Sequence, residues 1–67
     1  MDWFIFNWSA YRKDDVAYFI IEPRDSKDFP YGVNAYLRNG NKVEAEIVSD
    51  INDGLIVLVK ILKGELL

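Results

Sequence analysis

The 67 residues predict an all-β domain, a small, five-stranded, strongly bent antiparallel barrel, on three observations. Apolar residues recur with a period of two along most of the chain, as strands require. Turn-forming clusters of Gly, Pro, Asn and Asp recur roughly every 8–12 residues, the spacing of short strands in barrels and sandwiches. No stretch shows a clear helical period. Residues 1–67 make one domain with no room for a second.

The first strand is expected at "DWFIFNW" (2–8), with Trp3 and Ile5 on one face and Phe4, Phe6 and Trp8 on the other. "SAYRKDD" (9–15) reads as a polar turn. "VAYFIIE" (16–22) is a second strand, ended by Pro23. Residues 23–32, "PRDSKDFPYG", hold both prolines and four charges and read as the longest loop, a place where function often sits. "VNAYLR" (33–38) is a third strand. The Asn39-Gly40 pair then signals a tight hairpin in which both residues take φ > 0. "KVEAEIVSD" (42–50) is the fourth strand, "NDG" (52–54) a turn with Gly54 at φ > 0, and "LIVLVKIL" (55–62) the fifth. The β-branched Ile56, Val57, Val59 and Ile61 favour strand over helix there. Gly64 ends it and "ELL" trails.

The faces of these strands differ. On the fourth, Val43, Ala45 and Ile47 alternate with Lys42, Glu44 and Glu46; on the third, Val33, Ala35 and Leu37 alternate with Asn34, Tyr36 and Arg38. That is one buried and one wet face. The first, second and fifth are apolar on both. A chain this short buries only about 60% of its unfolded surface, and it holds no Cys for disulfides. Assembly would both cover the second apolar faces and enlarge the core, so a homo-oligomer or a protein partner is expected.

Composition narrows the function. With neither Cys nor His, the common zinc frameworks and the usual Ser and Cys nucleophile arrangements lack their parts, and no metal or cofactor is expected. A net charge of −3 argues against nucleic-acid binding. The longest apolar run, interrupted by Lys60, falls short of a membrane span, and Asp2 stands where a signal peptide has basic residues. The expected location is the cytoplasm.

Residues 37–64 resemble the Sm-like family of Src-homology-3-like barrels. Leu37, Gly40, Val43, Ala45 and Ile47 fall at the spacing of its first motif, "DIN" (50–52) precedes an apolar stretch, and "ILKGELL" is similar to its second motif. The resemblance implies a bent five-stranded barrel, ring assembly through edge strands, and RNA contacts at Asp50 and Asn52 with Lys63 as the basic partner.

Carboxylate pairs occur at Asp14/Asp15, Asp25/Asp28 and Glu44/Glu46, but none implies an apolar pocket that would raise a pKa, and no residue is assigned a catalytic role. "DINDG" approaches a calcium-loop opening but lacks the closing glutamate, so it reads as a turn. The expectation is a non-enzymatic protein–protein interaction module that self-associates through its aromatic strands. Trp3, Phe4, Phe6 and Trp8 are its contact residues, with Tyr18 and Phe29 next. The alternatives are a small inhibitor or immunity-type protein that blocks another macromolecule through loop 23–32, and an Sm-like RNA-binding ring.

Overall fold

A computed structural model describes residues 2–65; Met1 and the Leu66-Leu67 end of the "ILKGELL" stretch lie outside it. The chain is mostly β, but its five strands form two sheets rather than one closed barrel, and a helix follows them.

The first expected strand is in fact the start of a hairpin. β1 (Trp3–Phe6) pairs antiparallel with β2 (Ser9–Arg12), so Asn7 and Trp8 are a two-residue turn and residues 9–12 are strand rather than polar loop. Both turn residues have positive φ, 53° and 59°, the left-handed pair that suits the twist of a tight hairpin. One turn of 3-10 helix, Lys13–Asp15, leads into the three-stranded sheet of β3 (Val16–Pro23), β4 (Tyr31–Leu37) and β5 (Lys42–Val48). β4 is central, which explains its long buried run from Gly32 to Ala35. The β4–β5 turn is wider than expected from Asn39-Gly40. Gly40 alone takes positive φ, and Leu37 N–H donates to Asn41 O at 2.8 Å.

The largest correction concerns residues 55–62, which are not a fifth barrel strand. α1 (Ile51–Leu62) is an α-helix with complete caps. At its start, Asp50 Oδ1 accepts from Asp53 N–H at 2.8 Å. At its end, Gly64 at φ 80° lets Gly64 N–H reach Ile61 O and Glu65 N–H reach Lys60 O, the paired bonds of a Schellman motif. Gly54 is therefore helical rather than the left-handed turn residue of "NDG". Its missing side chain admits Ile21, whose Cδ1 would lie 3.1 Å from a Cβ built there.

One core joins these parts. Phe6 of the hairpin, Val16, Val33, Ala35 and Ala45 of the sheet, and Ile61 of α1 are buried together. Phe4, Tyr11, Phe19, Ile21, Val57 and Leu58 pack around them. Hairpin and helix thus cover one face of the three-stranded sheet, which is what makes strands rich in apolar residues sufficient for so short a chain.

Candidate functional site

Phe4 and Phe6 point into this core, so the faces of β1 are unequal. Phe6 is fully buried, its ring stacked on Tyr11 at 4.6 Å and edge-on to Phe19 at 5.7 Å. Phe4 is half-buried and T-shaped against Phe19 at 5.1 Å. Both were expected as contact residues, and both are instead occupied inside the domain. A charge placed at Phe6 would unfold the chain rather than report on assembly.

The other four expected contact residues are exposed. Trp3, Tyr18 and Phe29 are roughly half so, and Trp8 is 92% exposed. Trp8 is also a bulky residue in the left-handed region, a conformation that costs an L-residue about 1–2 kcal/mol. Loop 23–32 is clipped shut. Arg24 reaches Glu44 at 3.2 Å and donates to Phe29 O at 2.9 Å, and Phe29 N–H donates to Ser26 Oγ at 3.2 Å.

The outer face of the sheet carries a polar cluster. Asn34, expected on a wet face, is only 3% exposed and donates through Nδ2 to Glu22 Oε1 at 2.7 Å. The Tyr36 hydroxyl lies 2.9 Å from both Glu22 oxygens and donates to the carboxylate, and Lys42 Nζ stands at 3.9 Å. Tyr18 stacks on Tyr36 at 4.9 Å. The Asn34 and Tyr36 hydrogen bonds, and the Lys42 charge, hold the Glu22 carboxyl below its ordinary 4.5; the hydrogen bond to Glu22 holds the Tyr36 phenol above its ordinary 10.0.

These opposite shifts set a pH window. The depressed Glu22 stabilises the fold above pH 4.5, and that contribution is lost as pH falls through its lower folded value. The raised Tyr36 contributes below pH 10, and that contribution is lost as pH rises through its higher folded value. Urea unfolding between about pH 3 and pH 11 is expected to show a plateau falling at both ends. Tyr36→Phe should shrink the alkaline fall relative to the parent; equal alkaline slopes in the two proteins would contradict the assignment.

Glu44 and Glu46 are engaged by different partners. Glu44 engages Arg24, while Glu46 Oε1 accepts from Ile47 N–H at 3.0 Å. Among the described residues no group of three or more Asp or Glu is placed to hold a metal ion, and no helix is long and apolar enough to cross a membrane. The residues that the Sm-like resemblance marks for RNA are not brought together. Asp50 caps the start of α1 and Asn52 lies in its first turn, whereas Lys63 caps the far end, about 16–20 Å along the axis.

Sequence reasoning missed the outer face of α1. At about 100° per residue, Gly54, Val57, Leu58 and Ile61 form the inward stripe. Ile51, Leu55, Ile56, Val59 and Leu62 form a second band about 140° wide, and each is about half exposed. A shallow groove along that band is lined by Leu55, Ile56, Val59, Lys60, Lys63 and Glu65. The signal was present in the strand reading, where residues 55–62 are apolar on both faces; only the period assigned to them was wrong. Comparison with protein-family models, curated proteins and solved structures finds no match to this chain.

Proposed function

We propose that the chain is a non-enzymatic protein-interaction module that self-associates, and that it does so through the outer face of α1 rather than through β1. The observation that carries this reading is the second apolar band on α1. Five large aliphatic side chains lie side by side on a helix whose opposite stripe already meets the core. Burying that band removes a continuous apolar patch from water and adds to the small hydrophobic core of a 67-residue chain. Light scattering is expected to show mass rising with concentration, and Val59→Glu should return it to monomer with an unchanged melting temperature in dilute solution. A single monomer mass for the parent up to about 500 µM would sink the reading.

Trp8 favours a second reading, a blocking protein of the inhibitor or immunity type that inserts an aromatic anchor into another macromolecule. A tryptophan held outward on a strained turn, with almost no contacts of its own, suits such an anchor. Trp8→Gly should stabilise the fold, because the Asn-Gly pair relieves a strain of about 1–2 kcal/mol and loses about 0.4–1 kcal/mol to unfolded-chain entropy. The melting temperature should rise by a few degrees. A fall would show that Trp8 contributes to the fold.

A further inference from the structure

We infer that the outer face of α1 is built to pair with α1 of a second copy in antiparallel orientation, about a two-fold axis near the level of Val57. The inference rests on the self-association reading and specifies its geometry. It is carried by the distribution of charge along the helix. The N-terminal end is acidic, with the Asp50 cap and Asp53 in the first turn; the C-terminal end is basic, with Lys60 and Lys63. Glu65, beyond the helix, is the exception at that end. Asp53 and Lys60 are seven residues apart, so both flank the exposed band on its Ile56 side.

A two-fold axis at Val57 relates residue i of one helix to residue 114 − i of the other. Leu55 then faces Val59 of the second copy, and Val59 faces Leu55. Asp53 lies opposite residue 61, one residue rise (about 1.5 Å along the axis) from level with Lys60 of the second copy, and the pair recurs on the other side of the axis. The symmetry therefore places two opposite-charge pairs along one edge of the seam and aligns each helix start with the other's end, where the dipoles attract. Neither Asp53 nor Lys60 forms an ion pair within its own chain among the described residues; Asp53 Oδ2 accepts only from Ser49 Oγ, at 3.1 Å. A parallel pair would instead bring the two acidic starts to one level and the two basic ends to another, with the copies of Asp53 and of Lys60 on opposite edges of the seam, and would give neither residue an opposite charge to face. The charge pattern thus selects a second copy, and one orientation of it, over an unrelated apolar partner.

The face is small. A 12-residue helix is about 18 Å long and about 10 Å across, so the pair buries less than the roughly 800 Å² per partner of a standard interface. The dimer is accordingly weak and concentration-dependent, and its test runs from about 5 to 500 µM. The chain holds no Cys, so a single introduced cysteine reports orientation cleanly. Under mild oxidation Ile56→Cys, near the axis, should form a disulfide-linked dimer. Asn52→Cys, about 15 Å from its own copy in the antiparallel pair, should not, since a disulfide needs Cα atoms within about 7 Å. Asp53→Lys should weaken the dimer at least fivefold, as should Lys60→Asp. The double exchange should restore it to within about threefold of the parent, because two reversed pairs attract as the originals do. Cross-linking by Asn52→Cys in place of Ile56→Cys, or a double exchange no better than the single changes, would overturn the antiparallel arrangement while leaving self-association intact. A parent chain that is monomeric throughout would overturn both.

Discussion

Phe6→Ala is expected to abolish cooperative folding near physiological temperature. The ring is fully buried where hairpin, sheet and helix meet, stacked on Tyr11 and edge-on to Phe19. Truncating such a phenylalanine costs about 3–5 kcal/mol, the lost transfer energy plus the cavity left behind. A chain of 67 residues has roughly 3–10 kcal/mol of stability in all. The variant therefore loses between a third of its stability and the whole, and its midpoint should drop by at least about 12 °C. Calorimetry of Phe6→Ala beside Trp3→Ala checks this, because Trp3 lies three residues earlier in the same strand, on the opposite, half-exposed face. Equal losses at the two positions would mean that the hairpin does not present its Phe4/Phe6 face to the sheet.

What could be read from the sequence was what local pattern encodes. The alternation in β4 and β5 was legible because each has one face on the core, and the ends of β3, β4 and β5 moved by only two residues at most. The β1–β2 hairpin was hidden because its turn is Asn7-Trp8. Tight turns with two positive φ values are recognised by Asn-Gly or Asp-Gly, and a tryptophan in the second position looks like more strand. Tyr11 was missed with it, since it belongs to a strand of only four residues.

α1 was misread for a different reason. A helix with apolar bands on opposite sides has apolar residues at nearly every position, and such a run satisfies period two as well as 3.6. Its caps were the better guide. Asp50 with a second acidic residue three positions on, then Lys63-Gly64 after one 12-residue run, carries both end signals of a helix. β-branched content outweighed them wrongly, because tertiary packing overrides so small a propensity. The candidate contact surface moved accordingly. The idea of strands with two apolar faces pointed correctly to a surplus of apolar surface, but Phe4 and Phe6 use theirs internally and α1 displays the remainder.

Ile61→Ala and Val59→Ala separate helix from strand most sharply. In a strand the two side chains share a face, and truncating either would cost about as much. In α1 they stand about 200° apart. Ile61 is fully buried against the sheet and hairpin, and its truncation is expected to cost about 2–5 kcal/mol. Because Ile61 sits in the last turn, that loss falls on the docking of α1 to the domain. Val59 is about half exposed, and in dilute solution its truncation should change stability by no more than about 0.5 kcal/mol. The two should exchange importance when concentration is raised. Val59→Ala then weakens assembly, whereas Ile61→Ala is already compromised as a monomer. Urea unfolding at about 5 µM, followed by light scattering at about 500 µM, measures both halves of this contrast. Similar destabilisation by both substitutions at the lower concentration would overturn the orientation of α1, and with it the face on which the dimer is built.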